Sequence, residues 1–197
     1  MVFVSYLVTA IAAYLLGSIP TGYLVARARR VDIRSLGSGN IGATNVYRVA
    51  GRRLGVVTLV CDALKGVVPL ALLLAIGGYS QLQLALVAAA AFLGHCYPVY
   101  LGFKGGKGVA TALGIFLVLS PLSVLGALLV FAGVLWKWRY VSLASIAAAT
   151  ATPFLVFLAE RSLPLFAATL FISGMVILRH RGNIERLRSG TESRFRA

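Results

Sequence analysis

The stretch "GVATALGIFLVLSPLSVLGALLVFAGVLW", residues 108–136, decides how often this chain crosses a bilayer. It carries no charge, yet cations stand at both ends: Lys104 and Lys107 before it, Lys137 and Arg139 after it. Short loops rich in Lys and Arg stay cytoplasmic. A chain that leaves the cytoplasm after Lys107 must therefore be back before Lys137. Ser120-Pro121, near the middle, supplies the break, because proline lacks the amide donor and restricts the residue ahead of it. The stretch reads as two short helices, tilted or partly shielded by neighbours. One long tilted span is the rival reading, and it would strand Lys137 and Arg139 on the outer side.

The remainder of the chain agrees. Hydrophobic residues make up 59% of the 197, above the roughly 45–50% of a soluble domain. Val2–Ala26, Leu82–Phe103 and Val141–Ala159 carry no charge, and each matches the roughly 20 residues that span a hydrocarbon core. Further helices are expected over 54–76 and 163–179. The chain thus reads as an all-α integral membrane protein in a single domain over 1–197. Seven transmembrane helices are expected, with the amino terminus outside and the carboxyl terminus cytoplasmic. The first run has no basic lead-in and no small-residue cleavage site, so it reads as a retained helix and not a leader.

The formal charge is +14, from 19 Lys and Arg against five acids. A nucleic-acid partner is one meaning of such a balance. Here the cations punctuate apolar runs, which is the pattern of cytoplasmic loops, so no nucleic acid is expected. Cys61 and Cys96 lie in apolar segments without metal-ligand spacing and read as packing residues. The acids are scattered without a carboxylate cluster, so neither metal nor cofactor is expected.

Three polar stretches stand out, all on the expected cytoplasmic side. "SLGSGNIGATNVYR", 35–48, sets glycines among Ser38, Asn40, Thr44 and Asn45 and ends in Arg48. Glycine lets backbone approach a ligand, and hydroxyl and amide groups bind phosphate or hydroxyl. "GHCYPVYLGFKGGKGVAT", 94–111, holds Lys104, Gly105, Gly106, Lys107 and Gly108 ahead of a helix, the makings of an anion cradle. Its spacing is not that of a nucleotide-binding P-loop. "RHRGNIERLRSGTE", 179–192, adds His180, Asn183 and Glu185 to a basic tail. Each stretch also has a plainer reading as a solvated or topology-setting loop.

Smaller signals accompany them. Asp62 and Lys65, three apart on one helix, form either a functional pair or a lock on helix packing. His95 reads as an interior imidazole. Ser142 follows Arg139 and Tyr140 at a helix start. Ser18, Pro20 and Gly22 mark a kink or a close approach near the inner end of the first helix.

Taken in order, "GSGNIGATN" (37–45), "GHCYPVYLGFKGGKGVAT" (94–111) and "HRGNIERLRSGTE" (180–192) resemble the bacterial acyl-phosphate–glycerol-3-phosphate acyltransferases over essentially the whole chain. The resemblance implies a compact seven-helix enzyme at the cytoplasmic face of the inner membrane, embedded in membrane lipid. Such an enzyme transfers a fatty acyl group from acyl phosphate to sn-glycerol 3-phosphate. Its products are lysophosphatidic acid and inorganic phosphate, the first acylation of phospholipid synthesis. It also implies a catalytic set of Ser38, Lys104 and His180. Asn40, Thr44, Asn45, Arg48, Gly105, Gly106, Lys107, Gly108, Ser142 and Asn183 would bind substrate and phosphate. The general base is left open between His180 and the departing phosphate, and a monomer is admissible. A transporter of phosphorylated metabolites would place its site near the midplane between repeated halves, whereas these motifs cluster on one face.

Overall fold

A computed structural model describes residues 2–195. Every regular element among the described residues is helical. The chain divides into two compact units, residues 1–118 and 119–197, each taken by itself below.

Unit 1 opens with α1 (Val2–Gly17) and α2 (Thr21–Ala28), separated at Ser18-Ile19-Pro20 where proline was expected to disturb the helix. Then come α3 (Ala43–Ala50), α4 (Arg52–Ile76), α5 (Gln81–Cys96), a 3-10 turn (Val99–Leu101) and α6 (Val109–Leu119), whose last residue marks the boundary. The link between α4 and α5 is set by chemistry at both ends. Gly77, in a positive-φ conformation, stops α4, and the Ser80 hydroxyl accepts the Gln83 N–H to start α5. α1 packs along α5 at backbone contact: a Cβ on Gly17 would stand 2.2 Å from the Ala91 carbonyl oxygen, and one on Gly94 2.2 Å from that of Tyr14. Gly66 and Gly114 bring α4 and α6 together in the same way. Small residues at helix contacts are the usual means of close packing in lipid, where dispersion and not water drives association.

Unit 2 holds α7 (Pro121–Trp138), α8 (Val141–Glu160), α9 (Leu163–Arg179) and α10 (Arg181–Arg188). Pro121 begins α7, where its missing N–H has no consequence. α7 packs on α8 and α8 on α9, with the Phe157 and Phe166 rings 5.1 Å apart. At the end of α7, Trp136 and Trp138 are exposed, and the Lys137 ammonium lies 4.6 Å from the Trp138 ring centre. α9 and α10 meet at a bend of 52°.

Leu122, Leu129, Phe154 and Leu158 are at least two-thirds exposed, a distribution that suits lipid and not water. The chain is an integral membrane protein. Among the described residues, five stretches are long and apolar enough to cross a bilayer: 3–28, 52–76, 81–101, 121–138 and 141–160; α9 with α10 makes a sixth if that bent pair is one span. All seven expected segments are helical, and the expected division at Ser120-Pro121 is present. The count of candidate spans is nevertheless five or six. The 11 residues of α6 reach only about 16 Å, half a hydrocarbon core.

Candidate functional site

In unit 1, the stretch 35–48 is more ordered than its glycines suggest. Its second half forms α3, and Asn45 in the first turn is buried. The Asn45 amide nitrogen lies 3.2, 3.1 and 2.9 Å from the carbonyls of Ile33, Leu36 and Asn40, and its oxygen accepts the Ser38 N–H at 2.9 Å. One side chain thus pins a loop of eight residues, 33–40, which has no sheet or helix bonds of its own. The Asn40 oxygen accepts the Gly42 N–H at 2.9 Å. Ser38, Thr44 and Arg48 remain exposed on this frame. Beneath it, Ala26, Ile33, Ile41 and Val46 form an apolar core against which Leu101 also packs. The two polar motifs of unit 1 are therefore brought to one end of it.

Leu101 leads into the glycine turn. Gly102 and Phe103 are both left-handed, with φ of +57° and +63°. The chain then doubles back on α5: the Gly105 N–H donates to the Cys96 carbonyl (3.2 Å) and the Gly106 N–H to that of His95 (3.1 Å). These two amides, expected to face an anion, are instead engaged with the open end of α5. Gly106 also lies so near the His95 ring that a Cβ there would stand 2.2 Å from Nε2. Lys104 projects into the open and Lys107 is half-buried.

Under the turn lies a network that spacing alone did not reveal. Asp62, Lys65 and His95 are 2%, 5% and 4% exposed. Lys65 Nζ is 2.6 Å from Asp62 Oδ1, 2.8 Å from the Ile19 carbonyl and 3.3 Å from His95 Nδ1. The Thr21 hydroxyl also donates to Asp62 Oδ1, and the Thr111 hydroxyl donates to the Asp62 carbonyl at 2.9 Å. Four helices and the α1–α2 break meet at this pair, since Thr21 opens α2 and Thr111 lies in α6. A buried charge is tolerable only when so many partners replace its water.

In unit 2, His180 sits at the bend between α9 and α10, with Nδ1 2.8 Å from the Val176 carbonyl. A carbonyl only accepts, so Nδ1 carries a hydrogen, and it is the neutral form of the ring that has its basic electron pair on Nε2. Asn183 and Ser142 come together on a residue that the sequence reading quoted but did not select. Glu192 Oε1 accepts from Ser142 Oγ and from Asn183 Nδ2, each at 2.7 Å, while Oε2 accepts from Arg186 Nε at 2.8 Å. The tail is fastened beside it, since the Phe195 N–H donates to the Arg139 carbonyl. The available signal was an acid set among arginines in the third motif.

Burial pushes the Glu192 carboxyl up, but the hydrogen bonds from Ser142, Asn183 and Arg186, together with the Arg186 charge, outweigh it and hold the group below its ordinary value. A lowered carboxylate contributes stability that is fully present above the unfolded-state value of about 4.3 and is lost as pH falls through the lower folded-state value. Thermal unfolding in detergent should therefore show an acid-side loss in the wild type that Glu192→Gln lacks. Parallel pH profiles for the two proteins would remove the clamp from this account.

The model of the family described as glycerol-3-phosphate acyltransferase matches residues 7–190, across both units. A glycerol-3-phosphate acyltransferase of Syntrophotalea carbinolica is 61% identical over 98% of this chain and 99% of its own length. The chain is also similar, at 44% identity and TM-score 0.93, to a solved structure of PlsY (YgiH), an integral membrane glycerol 3-phosphate acyltransferase, in its glycerol 3-phosphate form. That match covers 98% of this chain and 96% of the other. The lysophosphatidic acid form of the same protein gives a TM-score of 0.91, with the same identity and coverage.

Proposed function

Because this chain belongs to the glycerol-3-phosphate acyltransferase family, we propose that it acylates sn-glycerol 3-phosphate with a fatty acyl phosphate as donor. The products are lysophosphatidic acid and inorganic phosphate. The observation that carries this reading is the solved relative's pair of forms, with glycerol 3-phosphate and with lysophosphatidic acid. The acyl phosphate donor is supported by the three ordered motifs and by the surplus of cations among them, since both reactants are phosphate anions. Palmitoyl phosphate with glycerol 3-phosphate should yield lysophosphatidic acid and phosphate in equal amounts, and palmitoyl-CoA should not replace it. Turnover with the thioester alone would overturn the donor assignment.

In this reaction the glycerol hydroxyl attacks the carbonyl carbon of the mixed anhydride. The new C–O ester bond forms, the bond from carbon to the phosphate oxygen breaks, and phosphate leaves with that electron pair. Lys104 holds the developing negative charge, with Lys107 beside it and with Gly105, Gly106 and Gly108 shaping the turn that carries them. Ser38, Asn40, Thr44 and Arg48 bind phosphate and hydroxyl groups from the frame that Asn45 fixes. Ser142, His180 and Asn183 bind glycerol 3-phosphate. The departing phosphate takes the hydroxyl proton, so His180 is a binding residue first. His180→Gln should raise the KM for glycerol 3-phosphate more than it lowers kcat, measured by steady-state turnover. A lost kcat at unchanged substrate affinity would make His180 the base.

Part of the same proposal is a seven-crossing topology in the inner membrane, with the amino terminus outside and the carboxyl terminus and active site on the cytoplasmic side. Its support is the placement of cations between apolar runs. Cysteines introduced at Gly78 and Gly190 should be labelled by an impermeant reagent from opposite sides of the membrane.

A further inference from the structure

We propose that the buried Asp62–Lys65 pair fixes His95 as a positioning residue for the glycine turn, holding the imidazole neutral with its hydrogen on Nε2, the edge that abuts Gly106. The Lys65 ammonium has three protons and three acceptors in reach: Asp62 Oδ1, the Ile19 carbonyl and His95 Nδ1. A ring nitrogen that accepts from an ammonium carries no hydrogen, so the hydrogen of a neutral His95 is on Nε2. The other tautomer would set an N–H of the ring against an N–H of the lysine in a place closed to water. Asp62 does not offer that tautomer an alternative, since its Oδ1 is 3.7 Å from Nδ1, beyond hydrogen-bond length.

The ring so fixed braces the turn. Its Nε2 edge lies against Gly106, and the carbonyl of the same residue accepts the Gly106 N–H. Main chain and side chain of His95 therefore both locate Gly106, which stands between Lys104 and Lys107. Thr21 at the start of α2 holds the Asp62 carboxylate, and the Ile19 carbonyl in the break between α1 and α2 holds Lys65, so the brace is tied to that break. Through this chain of contacts a buried ion pair sets where the two lysines stand, which goes beyond locking helix to helix.

This inference rests on the functional reading above only for its kinetic half. The first test does not use activity: the ring nitrogen shifts of His95 in the purified full-length chain with labelled histidine, distinguished from His180, the other of two histidines, by the His180→Gln variant. A hydrogen on Nε2 and a bare Nδ1 are expected; the reverse overturns the proposal. The second test compares kinetics. Removing one charge alone leaves the other buried without a partner, so the pair is replaced together as Asp62→Asn with Lys65→Met. This variant should fold, lose the single-tautomer signature, and raise the KM for the phosphorylated substrates about three- to tenfold, the scale of one hydrogen bond, with a much smaller change in kcat. Should it fail to fold, His95→Gln and His95→Leu decide. Glutamine restores an N–H near the Nε2 position and should retain a lower KM than leucine. Equal KM values for those two variants, or wild-type kinetics in a folded double variant, would overturn the positioning role. A wild type inactive on acyl phosphate but showing the Nε2 tautomer would instead count against the functional reading.

Discussion

Gly108→Ala is expected to destabilise the chain by about 2–5 kcal/mol, whereas Gly102→Ala, six residues earlier, should cost only about 1–2 kcal/mol. Both glycines have left-handed backbone, φ +79° and +57°, and an L side chain in that region costs about 1–2 kcal/mol at either place. They differ in what a methyl group would meet. At Gly102 nothing lies within 4 Å, while at Gly108 the new carbon would stand 2.2 Å from Cε2 and 2.7 Å from Cζ of Phe92. The Phe92 ring is fully buried and cannot swing aside, so overpacking adds about 1–3 kcal/mol. Against a total stability of about 5–15 kcal/mol, the upper end of that range is a third or more of the whole. Thermal unfolding of both variants in detergent measures the difference, and equal losses would show that the ring does not press on the turn.

Lys104→Ala should lower kcat/KM for the acyl-transfer reaction about 10- to 150-fold. A charged hydrogen bond contributes about 1.5–3 kcal/mol, and each 1.36 kcal/mol is about tenfold in rate. The loss is larger still if the contact strengthens as negative charge gathers on the leaving phosphate. Lys104 is exposed, so its removal should leave the melting temperature unchanged and separate chemistry from folding. Lys137→Ala removes another exposed cation and should retain wild-type turnover. Equal kinetics for wild type and Lys104→Ala would remove the glycine turn from the site.

These two residues also mark what a sequence exposes and what it conceals. Ser120-Pro121 and Pro20 were legible as candidate breaks because proline acts on its own backbone, although Pro69 and Pro153 lie inside α4 and α8 without ending them. Asp62 and Lys65 were legible as a pair because three residues of helix bring them to one face. Thr21 and His95 were not legible as their partners, since helical periodicity does not say which helix lies beside which. α3 was concealed for a related reason. Its eight residues are too few for a periodic signal, and the helix is held by Asn45 reaching back to carbonyls up to 12 residues away. The glycines at 105 and 106 were visible as freedom of the backbone, but not the use of their amides, which depends on where α5 ends. Glu192 joins Ser142 and Asn183 across 50 and nine residues, a distance that no local pattern records.

The two exposed indoles at the foot of α7 have a practical consequence. They are the only tryptophans in the chain, so its tryptophan emission originates from positions 136 and 138 alone. Brominated acyl chains quench such emission according to their depth, and a series of them would turn the unlabelled protein into a ruler for its own immersion in the bilayer.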